Sequence, residues 1–199
     1  PILKTETPIC VLDTSGIISN FLAANDITTV DLKNNKPTGS VAIVGEALPP
    51  YNKPLVTPIL EWINNGNTLI VIGSSHEWCE YLASKEIIDY RSCKTLGKVW
   101  YGGNFFSKPH PLFDGLPQGK VFNWEYQCFS TYDKKRIGMR IFSGETVVAA
   151  VSDHQKEIYS ALSIIPLGRG KIILSSLDIL SSLTKYHTGI EGQDKTLEG

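Results

Sequence analysis

The chain has no long apolar run, no concentrated basic face and no closely spaced cysteines, and each lack closes off a class of function. No stretch approaches the roughly 20 apolar residues that cross a bilayer as a helix, so a membrane is not an expected partner. Lysine and arginine are scattered apart from Lys134, Lys135 and Arg136, and the formal net charge is -1. A nucleic-acid groove needs a clustered basic footprint, so nucleic acid is not an expected partner either. Cys10, Cys79, Cys93 and Cys128 lie far apart, and none sits in a CxxC or similar spacing. They read as buried free thiols rather than a zinc site or a disulfide framework, and no metal or cofactor is expected. There is also no initiator methionine and no signal peptide: a chain that begins at Pro1 reads as a piece of a longer protein.

What is present is enough for one sizeable core. A chain of 199 residues fits a single α/β domain over 1–199, with 1–8 and 185–199 as flexible ends. Ile9 to Leu12 is a short apolar run ending in a turn, and Ile17 to Ala24 has the apolar stripe of a helix. Thr28 to Leu32 and Val41 to Val44 read as the next two strands. From Pro54, the residues Leu55, Ile59, Trp62 and Ile63 fall on one helical face, and Asn65-Gly66 supplies the stop. Short apolar strands alternating with helices predict a mostly parallel, three-layer, flavodoxin-like sheet.

The rhythm changes after residue 90. Lys98 to Phe106, Val121 to Tyr132, Thr146 to Val151, Ile158 to Leu167 and Lys171 to Ser175 all read as strands, with no long helix between them. Leu167-Gly-Arg-Gly170 is a hairpin signal, so this half adds antiparallel strands to the sheet or forms a small sheet beside it. Ser176 to Leu183 reads as a closing helix.

Gly66 to Ser84, GNTLIVIGSSHEWCEYLAS, reads as strand, sharp turn and helix, which is where many α/β enzymes hold a nucleophile. Gly73 to Glu77 is one residue away from the G-x-S-x-G elbow, with Ser75 in the nucleophile position and Glu77 where the last glycine belongs. The competing reading is a capping box, Ser74 as N-cap and Glu77 three residues on. Cys79 falls on the face of Trp78 and Leu82, where a core thiol is expected; as a nucleophile it would need exposure and a stabilising neighbour. His154 and Glu157 form the downstream His/carboxylate pair, in a polar turn that reads first as a solvated loop. Ser75, Cys79 and His154 are therefore weak catalytic candidates.

Asp13, Glu46 and the Ser74, His76, Glu77 turn all follow the carboxyl ends of expected parallel strands, the edge where open α/β sheets bind ligands. They are the candidates for one crevice. Ten of the 19 aromatic residues fall between Val99 and Tyr132, which makes this segment either core, a domain-docking surface or a sugar platform. Trp100, Tyr101, Trp124 and Tyr126 are its candidate surface residues, and Phe122, Trp124 and Tyr126 share one face if the segment is a strand.

Four segments carry a resemblance: PILEWINNGNTLIVIG from Pro58 to Gly73, HPLFDGLP from His110 to Pro117, NWEY from Asn123 to Tyr126, and GRGKIILSSLD from Gly168 to Asp178. Together they resemble the class I glutamine-amidotransferase-like domains found as accessory modules in bacterial glycoside hydrolases of family 2, the β-galactosidase and β-glucuronidase group. The amidotransferases themselves place a cysteine in a glycine-flanked elbow with a His-x-Glu downstream. Here Ser75 stands at that turn, and His154 is followed by Glu157 rather than by a carboxylate two residues on. The resemblance implies an amidotransferase-like fold without the triad, serving a periplasmic or secreted bacterial parent through interdomain or subunit packing or at the border of the sugar site. The implied partners are the parent's other domains, carbohydrate and a second copy. The alternatives are a small hydrolase or amidotransferase using the elbow, and a sugar-binding module.

Overall fold

The computed structural model describes residues 7–50, 55, 58–96, 105–122, 126, 136–152 and 155–187. The expectations for Trp100, Tyr101, Trp124 and His154, and for most of the two chain ends, lie outside these residues.

Four short strands build the parallel half: β1 (Ile9–Leu12), β2 (Thr29–Asp31), β3 (Val41–Val44) and β4 (Thr68–Val71). Their order is β2-β1-β3-β4, all parallel. Helix α1 (Ile17–Ala24) follows β1, α2 (Ile59–Asn64) precedes β4, and α3 (Ser75–Ser84) follows it. Alternation along each strand divides the apolar residues between two faces. Cys10, Leu12, Ala42, Val44, Leu69 and Val71 meet Ile59 and Ile63 of α2 and Trp78, Cys79 and Leu82 of α3. Val11 and Ile43 meet Ile18 and Leu22 of α1 on the other face. The strands read as unbroken apolar runs because both faces are covered.

The second half is antiparallel. Its strands are β5 (Tyr90–Leu96), β6 (Phe105–Ser107), β7 (Arg136–Ile141), β8 (Glu145–Ser152), β9 (Gln155–Leu167) and β10 (Gly170–Ser175). Of the two arrangements expected for this half, the structure has added strands: among the described residues one sheet of ten strands runs through both halves. The join is β10, parallel to β4 on one side and antiparallel to β9 on the other. Strand β9 carries β10 from Leu162 to Leu167 and then meets β7 at Ser160, while β8 lines its opposite edge. Helix α4 (Ile179–His187) returns to seat Leu180 in the α1 cluster, and it includes residues 185–187 of the expected flexible end.

Several boundaries differ from the sequence reading, each for a local reason. Helix α2 starts at Ile59 rather than near Pro54, because Pro58 has no N–H to give and disfavours helical backbone before it. Strand β5 was not expected: YRSCKTL has no apolar run, since it is an edge strand with Arg91, Ser92, Lys94 and Thr95 exposed. Strand β7 was hidden by Gly138. A Cβ there would stand 2.5 Å from the Cβ of Tyr159, so the glycine marks a close approach of two strands.

The aromatic segment supplies a separate core. Phe105, Phe113, Phe122 and Tyr126 pack on Val148, Ala150, Tyr159 and Ala161. The rings of Phe122 and Tyr126 are stacked, 4.0 Å between centroids at 10°. The expected strand over 121–132 is not found at its described residues: Val121 makes one isolated bridge to Phe106, and Tyr126 is outside any strand.

Two of the segments that carry the family resemblance touch each other. The hairpin at Gly168 to Gly170 lies against the end of α2, where Arg169 N–H donates to the Asn64 carbonyl (3.0 Å) and Lys171 N–H to that of Asn67 (3.1 Å). A Cβ on Gly170 would fall 2.0 Å from the Ile63 carbonyl oxygen, so only glycine lets the hairpin approach this closely. In HPLFDGLP, His110 Nδ1 accepts from Leu112 N–H (3.1 Å), Phe113 enters the aromatic core, and the Pro117 carbonyl accepts from the Tyr126 hydroxyl. These motifs are explained by packing.

Candidate functional site

The strand order reverses between β1 and β3, which places the topological switch point at Asp13 and Glu46. Ligands in open α/β sheets sit in the crevice outside the strand ends at this point. In this chain the crevice is tied across by its own residues. Asp13 Oδ1 accepts from Ser15 Oγ (2.7 Å), Ser15 N–H (3.1 Å) and Glu46 N–H (3.2 Å), and Oδ2 accepts from Ile18 N–H (3.1 Å). The Thr14 hydroxyl also donates to the Glu46 carbonyl. One carboxylate thus caps the start of α1 and fastens the β1 turn to the β3 turn. The Glu46 side chain itself is exposed.

The neighbouring β3 and β4 ends are in direct backbone contact. A Cβ on Gly73 would stand 2.6 Å from the Gly45 carbonyl carbon and oxygen and 2.7 Å from Leu180 Cδ1. A Cβ on Gly45 would stand 2.7 Å from the Asp13 carboxyl and from Ile18 Cδ1. Gly73, Gly45 and Leu180 therefore fill the space between these strand ends.

At the elbow, Ser75 is the first residue of α3, and its hydroxyl donates to the Ser175 carbonyl at the end of β10. The expected capping box is corrected by the backbone of Ser74. At φ 49° and ψ 35° it is left-handed, and its side chain makes no capping bond. An N-cap serine needs extended backbone to aim its oxygen at the next amides, and left-handed geometry turns it away. Ser74 differs in this from Asp26 and Glu86, the other non-glycine residues at positive φ among the described residues. Those two close helices α1 and α3 with paired bonds, Ile27 to Leu22 and Asp26 to Ala23, then Ile87 to Leu82 and Glu86 to Ala83.

Cys79 is fully buried, and its Sγ lies 3.7 Å from Met139 Sδ. Burial, helped by Cys93 and two helix carboxylates, pushes its thiol up to about 12, which is the opposite of nucleophile activation. His76 does have partners: Nδ1 is 2.7 Å from the Tyr90 hydroxyl, and Nε2 is 3.5 Å from Glu80 one turn along. Burial, and then Cys93, raise the Tyr90 phenol above its usual range, so it stays protonated. His76 thus ties α3 to β5. Glu77 lies in the first turn of α3, where a carboxylate complements the helix dipole. Tyr126, expected on an aromatic surface, is 1% exposed and belongs to the core. Among the described residues no three His, Cys, Asp or Glu side chains gather as a metal site, and no helix is long and apolar enough to cross a membrane.

Sequence reasoning passed over a groove of about 370 Å³ in the antiparallel half, lined by residues of β6 to β9 and the turns beside them. Phe106, Phe142 and Ile158 stand exposed there. The available signal was three large apolar residues beside charged ones, which single-strand patterns assign to the core.

No family model and no curated protein matches the sequence. Solved structures share the fold. The exo-β-1,4-mannosidase Op5Man5 of Opitutaceae bacterium strain TAV5 aligns over 92% of this chain and 34% of its own, with a TM-score of 0.52 at 8% identity. A β-galactosidase of Bacillus circulans sp. alkalophilus covers 96% and 31% (TM-score 0.51, 12% identity), and the cold-adapted β-galactosidase of Rahnella sp. R3 covers 96% and 32% (0.52, 8%). The chain has the fold of about a third of each of these glycosidases.

Proposed function

We propose that this α/β domain is a non-catalytic accessory module of a carbohydrate-active enzyme of glycoside hydrolase family 2, the β-galactosidase and β-glucuronidase group. Its role in this reading is packing against other domains of the parent or against a second copy. The observation that carries it is the state of the switch-point crevice. Asp13 is fully engaged in holding two turns together, and the Ser75 hydroxyl and Cys79 thiol are both turned into the structure. A fold that elsewhere presents a nucleophile at this edge here uses the edge for its own cohesion. Likeness to part of a mannosidase and of two β-galactosidases agrees with a carbohydrate-active parent.

The rival reading, amide or ester hydrolysis at the elbow, has one observation in its favour: a left-handed serine at the strand–helix turn, where enzymes store backbone strain. One assay separates the two. The chain is expected to release no ammonia from glutamine and no nitrophenol from short esters. Turnover that disappears in Ser75→Ala or Cys79→Ala would establish the hydrolase instead.

A further inference from the structure

Three of the chain's five sulfur-bearing residues meet where α3 crosses β7 and β5. Cys79 of α3 has its Sγ 3.7 Å from Met139 Sδ on β7. Cys93 on β5 is the cross-strand partner of Met139. Residues directly opposite in an antiparallel pair project on one face with Cβ atoms about 4.5–5.5 Å apart, so Met139 has a thiol from the helix on one side and a thiol from the next strand on the other. Cys93 is also close enough to Cys79 and to Tyr90 to raise the pKa of both. Cys79 and Met139 are fully buried, whereas Cys93 is half-buried on the outermost strand and gives the cluster a way to solvent.

Packing alone accounts for one Cys–Met contact in a core. A second thiol on the open side turns that contact into a set of three soft donors. Two sulfurs 3.7 Å apart can both bond one metal at about 2.3 Å, the usual metal–thiolate distance. The composition of the set selects the ion. Among the described residues no third His, Cys, Asp or Glu gathers beside the two thiols, which falls short of the four ligands that structural zinc takes. Two thiolates completed by a thioether suit copper(I). We propose that Cys79, Cys93 and Met139 form a copper(I) site. On binding, two S–H bonds break and both protons leave to solvent, two Cu–S bonds form, and the thioether donates a lone pair; copper stays monovalent and nothing is oxidised. Burial holds the Cys79 proton at neutral pH, so the cation has to displace it. The inference goes beyond the accessory-module reading, and either can fail alone, because the elbow assay reads turnover and this site is read by metal uptake.

The test is an anaerobic titration of the whole reduced chain with copper(I) supplied as its bicinchoninate complex. The expected result is transfer of one equivalent to the protein. Met139 is the only methionine, so its isotope-labelled methyl resonance reports the site by itself and should shift in step with the transfer. Cys93→Ala, at a half-buried edge position that folding tolerates, should weaken uptake by at least about tenfold, since a ligand costs no less than an outer-shell partner. Met139→Leu keeps the core volume and should weaken it as well. The double variant Cys10→Ala/Cys128→Ala removes the other two thiols and should take up copper as the parent does. No transfer, transfer with the methionine methyl unmoved, unchanged affinity in Cys93→Ala, or loss of uptake in the double variant would each overturn the proposal.

Discussion

The two halves of one sheet solve the same problem differently. The parallel half is covered on both faces by helices, and its strand ends are bound together by Asp13 and by glycine-to-backbone contact. The antiparallel half packs on an aromatic cluster and still leaves Phe106, Phe142 and Ile158 largely to solvent. The customary ligand edge of the fold is thus tied by its own residues, and large exposed apolar side chains stand on the added strands.

Substitutions should separate the halves by their cost, most clearly at Trp78. Its ring is fully buried under α3, and its Nε1–H donates to the Ala47 carbonyl (2.9 Å), so removal opens a cavity and orphans an acceptor. Trp78→Ala is expected to destabilise by about 3–5 kcal/mol in urea unfolding. A loss below about 1 kcal/mol would mean that the parallel half is not the rigid partner in this comparison.

The next test makes the same chemical change in each half. Asp13→Asn turns an amide N–H₂ toward backbone donors that now meet a carboxylate oxygen, and is expected to cost about 1–3 kcal/mol. Glu145→Gln removes an exposed ion pair with Lys108, and the urea midpoint should not move measurably. Equal shifts in the two variants would erase the contrast between a tied crevice and a solvated face.

How much of this was legible in the sequence follows the same division. The strands at Ile9–Leu12 and Val41–Val44 and the helix at Ile17–Ala24 could be read directly, because burial on both faces leaves unbroken apolar runs. The hairpin at Gly168 could be read from its glycines. Strands β5 and β7 could not: β5 is exposed at four of its seven residues, and in β7 Gly138 reports a neighbour, Tyr159, that is distant in sequence. At the elbow the residue types were right and the geometry was hidden, since the left-handed turn at Ser74 depends on how β4 delivers the chain to α3. Asp13 was visible as a carboxylate at a strand end; its bond to Glu46, 33 residues away, was not.

A smaller effect, again in the parallel half, is a pH dependence set by Cys79. Its thiol titrates near 9.0 when free and about 12 when folded, so above pH 9 the unfolded chain holds fewer protons than the folded one. Stability contributed by the neutral thiol is therefore lost as pH rises from about 9 toward 12. Comparing urea midpoints at pH 8 and pH 10 for the parent and for Cys79→Ala isolates this term: the parent should lose more than the variant does. Parallel losses in the two proteins would assign the slope to other groups.

The smallest expected effect is in the open half. Phe142 follows β7 with its side chain mostly in water, and the Arg140 guanidinium sits 5.8 Å from its ring centroid. Truncating it removes little buried area and at most an exposed cation–π contact of about 0.5–1 kcal/mol. Phe142→Ala is therefore expected to unfold within about 0.5 kcal/mol of the parent, as exposed positions generally do. A loss of 2 kcal/mol or more, measured on dilute monomer, would show that the ring is covered in solution by something that packs like core. The bare face would then be the second tied region of the molecule, and the asymmetry between the halves would disappear.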